Sequence, residues 1–233
     1  MELIAHRAGT DRYPELTLDA ARYSLQAGAA YVELDIRFTR EDIPVISHDD
    51  NAQRLFGNPC RIDELTLDEF LSLHYAADAH YSTLTLSQVL ESGVAPILFH
   101  VKVGGERLLP LLDCIHSHDY AEKCVLGLMT PADVHFVKAQ NPAQTVLAFG
   151  SEKETVFAQA KSGADIVRLW ENWVTPKDIA ALHAMGKRVW VMAGTPRDGS
   201  VGFTADEHLA AWHAMGADGV LINEIDHARA LLG

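Results

Sequence analysis

Cysteine and positive charge are both scarce in this 233-residue chain. The three cysteines, Cys60, Cys114 and Cys124, are odd in number, far apart and never spaced as Cys-x-x-Cys. This usage argues against a cysteine metal site and fits a reducing cytoplasm. Nineteen Lys and Arg stand against 32 Asp and Glu, for a formal net charge of −13. We therefore expect neither nucleic acid nor an anionic membrane as a main partner, because both require clustered positive charge.

Long apolar runs are also missing. None approaches the roughly 18 residues of a transmembrane helix. The N-terminal residues Met1-Glu2-Leu3-Ile4 lack the basic head and apolar core of an export signal. We therefore predict a cytoplasmic protein without membrane insertion. Hydrophobic residues make up 48% of the chain and charged residues 22%, which is enough apolar material for a large core in one or two domains.

Eight short, β-rich apolar runs alternate with longer segments of helical spacing. Near-continuous hydrophobicity is typical of parallel strands that are covered on both faces. Helix-start patterns, such as Thr66 with Glu69 and Thr85 with Gln88, lie between the runs. The eight runs are Glu2–His6, Tyr31–Phe38, Ala95–Val103, Cys124–Met129, Thr145–Gly150, Asp165–Trp170, Arg188–Gly194 and Gly219–Asn223.

One βα unit of about 30 residues, taken eight times, accounts for the whole chain. The predicted fold is a single (β/α)8 barrel over residues 1–233. A doubly wound open sheet is the alternative, but the first βα turn lacks the Gly-x-Gly-x-x-Gly phosphate loop. The connection Ser47–Leu84 is longer and more polar than the others, which predicts an excursion beside the barrel mouth. A turn is expected just before it, at Pro44–Ser47.

Active sites of such barrels lie at the carboxyl ends of the strands, so polar residues there are candidates for function. Glu33 and Asp35 are two residues apart in the second run and leave the same face of the strand. Such a pair in an apolar strand favours a hard divalent cation such as Mg²⁺ or Ca²⁺, with structural ion pairing as the alternative. The other polar residues at these ends are His6, Arg7, His48, His100, Lys102, Arg168 and Asn223.

A divalent cation, an arginine and two histidines suit reaction at a phosphodiester. The cation and Arg7 can stabilise charge that develops on the phosphoryl oxygens. Two imidazoles can act as base and acid on opposite sides of an in-line displacement. Lys102 and Arg168 are predicted to bind the substrate.

In these residues the chain resembles the glycerophosphodiester phosphodiesterase family of metal-dependent barrels. The family's His-Arg opening, Pro-Glu-x-Thr, Glu-x-Asp and His-Asp motifs are similar to segments spread in the same order over residues 4–49. These segments are His6-Arg7-Ala8-Gly9, Pro14-Glu15-Leu16-Thr17, Glu33-Leu34-Asp35 and His48-Asp49.

The resemblance implies hydrolysis of a small glycerophosphodiester to sn-glycerol 3-phosphate and an alcohol, a step of glycerol and lipid metabolism. It implies His6 and His48 as the acid/base pair, in an order left open, and Arg7 as a phosphate clamp. Glu33 and Asp35 become metal ligands by the same comparison. Pro14–Thr17 is expected to shape the loop and helix start, with Thr17 as the cap.

His100 departs from the family pattern, which has Glu two residues before the Lys of the third strand. As a ligand, an imidazole would extend the metal preference toward Mn²⁺ or another transition metal. Alternatively, His100 would only hydrogen-bond a ligand or the phosphate. Asn223 also departs from the family, which closes its last strand with Thr-Asp. Asp49-Asp50 is expected to be a solvated edge.

Two other functions compete with this hypothesis. One is phospholipase D-like activity on a lysophospholipid, which a related barrel carries out with a similar set of residues. The other is a non-catalytic barrel that binds a phosphate ligand. The sequence does not specify the alcohol moiety, the metal or the oligomeric state.

Overall fold

All eight predicted strand segments form strands in the computed structural model, which describes residues 1–233. A ninth strand, β3, occupies the position where a turn was expected. The strands are β1 (Glu2–Ala5), β2 (Tyr31–Phe38), β3 (Pro44–Ile46), β4 (Ile97–Val101), β5 (Cys124–Leu128), β6 (Thr145–Ala148), β7 (Ile166–Trp170), β8 (Arg188–Met192) and β9 (Gly219–Ile222).

The sheet closes into a barrel of eight parallel strands, so the predicted (β/α)8 fold is confirmed. The strand order is β1-β9-β8-β7-β6-β5-β4-β2, and β1 also pairs with β2. β3 pairs antiparallel with β2, with Ile36 opposite Ile46 and Phe38 opposite Pro44. An open sheet would leave β1 and β2 as unpaired edges, but these two strands pair with each other, so the open-sheet alternative is wrong.

Helices cover the outside of the barrel, and those with a predicted N-terminal cap begin where the sequence patterns place them. The Thr66–Glu69 and Thr85–Gln88 capping boxes are both formed, and the Thr17 hydroxyl accepts a hydrogen bond from the Ala20 N–H. The helices are α1 (Leu18–Ala27), α2 (Gln53–Phe56), α3 (Leu67–Leu71), α4 (Leu86–Glu91), α5 (Leu108–Ser117), α6 (Pro131–Gln140), α7 (Lys153–Lys161), α8 (Pro176–Ala184), α9 (Asp206–Ala214) and α10 (Ile225–Leu232). None of them is long and apolar enough to cross a lipid bilayer.

The predicted excursion after β2 and β3 has its own small apolar core, separate from the main one. Phe56 of α2 and Phe70 of α3 pack edge to face, with ring centroids 6.2 Å apart, and Tyr75 packs against Phe56 at 5.1 Å. This packing fixes α2 beside the barrel mouth.

The side chains along each strand alternate between two apolar layers. One face of each strand packs against the helices, and the other points into the barrel, where Ile4, Leu98, Leu147 and Trp190 are fully buried. Inward positions nearer the carboxyl ends carry polar side chains instead. The barrel interior therefore supports a polar site at one end on an apolar base.

Candidate active site

A cavity of about 360 Å³ opens at the carboxyl ends of the barrel strands and collects most of the predicted site residues. Glu33 and Asp35 are fully buried on β2 and contact residues of the cavity wall. Apolar side chains, including Met129 and Met192, form part of the wall. The predicted residues that line the cavity are His6, Arg7, His48, His100, Lys102 and Arg168.

The two β2 carboxylates retain free acceptor capacity. Glu33 Oε2 accepts a hydrogen bond from the Arg7 backbone N–H at 2.7 Å, but Oε1 has no hydrogen-bond partner. Lys102 Nζ lies 2.8 Å from Asp35 Oδ1. This approach lacks hydrogen-bond geometry, so both Asp35 oxygens stay without a hydrogen-bond partner. The structural ion pair considered as an alternative is therefore present at Asp35, yet it leaves three buried oxygens unsatisfied.

Burial and neighbouring charges shift the pKa values of the Glu33 and Asp35 carboxyl groups in opposite directions. Burial, and next the charge of Asp35, raise the pKa of Glu33 well above its ordinary value. Burial also acts to raise the pKa of Asp35, but Lys102 and His100 hold it well below its ordinary value. Two carboxylates this close in an apolar interior are stabilised together only by added positive charge.

His100 completes a group of three side chains that could hold a metal ion. Its Nδ1 lies 3.0 Å from Asp35 Oδ1 and 3.4 Å from Glu33 Oε1, and the three ligand atoms lie within 4.8 Å of one another. Bonds of about 2.0–2.4 Å to a shared ion leave neighbouring ligand atoms about 3 Å apart. The unsatisfied oxygens and this spacing fit a divalent cation.

The His100 ring is held in place by stacking. It lies on the Phe149 ring at 3.7 Å between centroids, with 17° between the planes. Its Nε2 contacts Met129 Sδ at 3.3 Å. Burial is the main cause that lowers the pKa of His100 to about 3. The neutral imidazole this favours is the form that can ligate a metal.

The His6 ring is held by Asn223, which lies near the C-terminus. Its Nδ1 donates to the Asn223 amide oxygen at 2.7 Å, and the Asn223 amide group donates to the Val201 carbonyl. The second bond orients the amide and so fixes the His6 proton on Nδ1. Burial, and next the Arg7 charge, lower the pKa of His6 to about 3. His6 is therefore a neutral imidazole with an unprotonated Nε2.

His48 has a carboxylate partner instead. Its Nδ1 donates to Asp49 Oδ1 at 2.7 Å, and its Nε2 accepts from Arg7 Nη2 at 2.9 Å. Burial lowers the pKa of His48, and the Lys102 and Arg7 charges act in the same direction. Asp50 is exposed as expected, but the expectation for Asp49 is wrong, because this half-buried carboxylate orients a site histidine.

A closed ring of hydrogen bonds links Arg7 and His48 through the excursion. Glu15 Oε2 accepts from Arg7 Nη1 at 2.8 Å, and Glu15 Oε1 accepts from Arg54 of α2. Arg54 Nε donates to Asp49 Oδ2 at 2.6 Å, which completes the ring at His48. Glu15 therefore positions Arg7 as well as shaping the loop.

The backbone at Arg7 is also constrained. Arg7 has φ 51° and ψ 39°, a left-handed conformation that is unfavourable for a residue with a side chain. The turn that results aims the Arg7 N–H at Glu33 and its guanidinium at His48 and Glu15. Sequence reasoning identified Arg7, His6 and His48 but not their contacts with Glu15, Asn223 and Asp49, because these contacts depend on the folded chain.

Arg168 shares the inward face of β7 with Ile166 and Trp170 and is 1% exposed. Its Cζ is 4.7 Å from the Phe149 ring centroid and 4.2 Å from that of Trp170. Trp190 and Trp212 pack in the barrel core and the helical layer, whereas Trp170 belongs to the cavity wall. The structure thus brings together all eight predicted site residues around one end of the barrel.

Comparison with known proteins gives matches over part of the chain. Residues 6–106 match the Glycerophosphoryl diester phosphodiesterase family. The chain is 43% identical to glycerophosphodiester phosphodiesterase 1 of Bos taurus over 75 residues, which are 32% of this chain and 23% of that protein. It is 29% identical to lysophospholipase D GDPD3 of Mus musculus over 121 residues, 47% of this chain and 37% of that protein. The matches thus span less than half the length of these curated relatives.

The fold comparison extends over the whole chain. A phosphodiesterase of Oleispira antarctica, solved in complex with the product sn-glycerol-3-phosphate, superposes with a TM-score of 0.84. The alignment covers 100% of this chain and 96% of that one, at 17% sequence identity. This likeness shows that the two chains share a fold.

Proposed function

We propose that this chain, whose residues 6–106 match the Glycerophosphoryl diester phosphodiesterase family, hydrolyses a glycerophosphodiester to sn-glycerol 3-phosphate and an alcohol. It would then be a phosphoric diester hydrolase that acts on small, soluble molecules. The observation that carries the proposal is the convergence on one cavity of two neutral histidines, an arginine and a three-residue cation site. A phosphodiesterase of Oleispira antarctica with the same fold was solved in complex with its product sn-glycerol-3-phosphate.

Glu33, Asp35 and His100 would hold the divalent cation. Two carboxylates suit Mg²⁺ or Ca²⁺, and the imidazole extends the range to Mn²⁺ or another transition metal. When bound, the ion supplies positive charge that stabilises the developing negative charge on the phosphoryl oxygens. The buried oxygens of Glu33 and Asp35 that lack hydrogen-bond partners support this assignment.

Arg7 and Lys102 would position the phosphoryl group. Both line the cavity, and both are anchored by carboxylates, Arg7 by Glu15 and Lys102 by Asp35. Anchoring limits the freedom of these long side chains before the substrate binds. Preorganised cations of this kind stabilise the charge of the transition state more than that of the ground state.

The partners of the two histidines divide the roles of base and acid. Asn223 is uncharged and holds His6 with an unprotonated Nε2, which suits a base that accepts the proton of the attacking oxygen. Asp49 is a carboxylate and stabilises an imidazolium at His48, which suits an acid that protonates the leaving alcohol. To act as the acid, His48 Nε2 must first take up a proton from solvent and exchange its bond from Arg7 for a bond to the leaving oxygen.

Lysophospholipase D-like activity is the second candidate. It is supported by the 29% identity to the mouse lysophospholipase D and by the apolar part of the cavity wall, including Met129 and Trp170. The cavity volume of about 360 Å³ is at the lower end of the range for small-molecule sites, which favours a headgroup diester without an acyl chain. We therefore place the soluble diester first.

The test is product identification with two substrates. The purified protein is incubated with Mg²⁺ or Mn²⁺ and either glycerophosphoethanolamine or lysophosphatidylethanolamine, and the products are followed by phosphorus NMR. The proposal predicts sn-glycerol 3-phosphate from the first substrate with the larger kcat/KM. Faster formation of lysophosphatidic acid from the second would support the alternative. Binding of both without any product would make the protein a non-catalytic barrel. A His6→Ala variant assigns any activity to this site.

A further inference from the structure

Arg168 is a buried cation without a carboxylate partner. Its Nη2 donates to the carbonyl oxygens of Phe149 at 3.2 Å and Gly150 at 3.1 Å. Its Nε and Nη1 are buried and have no hydrogen-bond partner. The other cations at this end of the barrel, Arg7 and Lys102, each contact a carboxylate. A buried charge that is not paired is costly, so Arg168 is the exception in the cavity wall.

Aromatic rings surround the guanidinium but do not neutralise it. Phe149 and Trp170 lie 4.7 and 4.2 Å from Arg168 Cζ, and Trp173 lies at 5.5 Å. Cation–π contacts are attractive but leave the net positive charge in place. Burial lowers the pKa of Arg168 to about 9, so the side chain stays charged at neutral pH. The aromatic wall therefore holds a preformed positive site.

This site opens into the same cavity as the phosphodiester residues. Arg168 and His100 both lie against the Phe149 ring, and Arg168, His6 and Arg7 line one continuous wall. A ligand whose phosphoryl group lies at Arg7 and Lys102 would extend the rest of its length toward Arg168. Of the two parts of a glycerophosphodiester, glycerol is uncharged, so only the alcohol moiety can bring a second charge.

We propose that Arg168 binds a second anionic group, a carboxylate, on the alcohol moiety of the substrate. The inference depends on the proposed function, because it names the substrate class of that same site. Carboxylate oxygens would accept hydrogen bonds from the unpartnered Arg168 nitrogens and supply the missing counter-charge. The preferred substrate is then a glycerophosphodiester of an acidic alcohol.

Glycerophosphoserine and glycerophosphoethanolamine form a matched pair for the test, because they differ only by one carboxylate. A hydrogen bond to a charged group contributes about 1.5–3 kcal/mol, so we expect kcat/KM to favour the serine diester by about tenfold or more. In Arg168→Met, which keeps an unbranched side chain but removes the guanidinium, that ratio should fall to about one.

Arg188→Met is the matched control. Arg188 also stacks on a tryptophan, with its Cζ 5.6 Å from the Trp190 ring centroid, but it begins β8 at the opposite end of the barrel and pairs with Glu2. This variant should keep the wild-type preference. If Arg168→Met does not fold, Arg168→Gln takes its place. Equal kcat/KM for the two diesters in the wild type would overturn the inference. So would a preference for the serine diester that persists in Arg168→Met.

Calorimetric titration of the chelated protein separates this inference from the proposed function. Without a metal there is no turnover, and the serine diester should still bind about tenfold more tightly than the ethanolamine diester. If neither diester is hydrolysed with metal but this difference in binding is found, the proposed function fails and the Arg168 site stands. If hydrolysis is found and the two bind equally, only the Arg168 site fails.

Discussion

His6 and His48 are the same side chain placed against different partners, an amide and a carboxylate. Asn223 accepts from His6 Nδ1, and Asp49 accepts from His48 Nδ1. The amide brings no charge to His6, whereas the Asp49 carboxylate acts to raise the pKa of His48 against the burial that lowers it. The two histidines are therefore suited to opposite proton transfers although neither is distinguished by its own position in the sequence.

Alanine in place of either histidine should remove most of the turnover. His6→Ala and His48→Ala are each expected to lower kcat by about 10²–10⁴-fold, the usual contribution of general acid/base catalysis. The double variant should lose little more, because both residues serve one displacement. Steady-state kinetics on a diester with a poor leaving group measures this. Near wild-type turnover in either single variant would remove that histidine from the mechanism.

Asn223→Asp should change the pH dependence in a defined direction. A carboxylate at this position stabilises the His6 imidazolium and raises the pKa of His6, which is about 3 in the wild type. The base is active only when neutral, so the acid limb of kcat/KM should move to higher pH by about one unit or more. Asn223→Ala is the control and should lower activity without this displacement. An acid limb that does not move would assign the base elsewhere.

His100→Glu tests whether His100 is a metal ligand. Direct ligation predicts tighter Mg²⁺ binding and a preference shifted from Mn²⁺ toward Mg²⁺, because a carboxylate is a harder and more negative donor than imidazole. Titration of the chelated variant with each ion gives the two affinities. His100→Gln controls for the loss of stacking on Phe149. A ratio of affinities equal to that of the wild type would leave His100 outside the coordination sphere.

Helix α2 connects the excursion to the site through one side chain. Arg54 donates to Asp49 and to Glu15, and these two carboxylates hold His48 and Arg7. The apolar contacts of Phe56 fix the helix that carries Arg54. The excursion thus holds His48, the proposed acid, and Arg7, the proposed phosphate-binding residue, in fixed relative positions.

Removing Arg54 should therefore affect catalysis more than stability. We expect Arg54→Ala to lower kcat/KM by about tenfold, the loss that corresponds to one charge-assisted hydrogen bond. The side chain is 45% exposed, so the free energy of unfolding should fall by only about 0–1 kcal/mol. Arg61→Ala is the matched control, since Arg61 pairs with Asp50 and Asp63 in the same excursion at 48% exposure. Equal kcat/KM in the two variants would contradict a positioning role.

The elements were predictable because their signals are local. Apolar runs, capping boxes and the glycines that end helices, such as Gly28 at φ 106°, lie within a few residues of the structure they specify. Strand β3 was missed because Pro44–Ile46 is short and its pairing depends on β2. The partners of the site residues were missed for the same kind of reason. Asn223 is 217 positions from His6, and only the closure of the barrel brings them together.

At the scale of the whole molecule, the family match lies in the first half of the chain and the likeness of fold extends throughout. The family match is confined to residues 6–106, whereas the likeness to the Oleispira antarctica structure covers the entire chain. This division has a physical reason, because the first strands supply the charged residues and the later ones mostly supply apolar packing that many sequences can provide. The cytoplasmic location and the lack of a nucleic-acid partner stay predictions from composition and the formal charge of −13.

The central claim is that a metal held by Glu33, Asp35 and His100 takes part in diester hydrolysis at this site. Its most direct test is hydrolysis of glycerophosphoethanolamine by the wild type and Asp35→Asn, measured after exhaustive chelation and again after adding back Mg²⁺ or Mn²⁺. We predict that wild-type activity disappears on chelation and returns with the ion, and that Asp35→Asn stays inactive at ion concentrations that restore the wild type. Full activity of both proteins without metal would contradict the account.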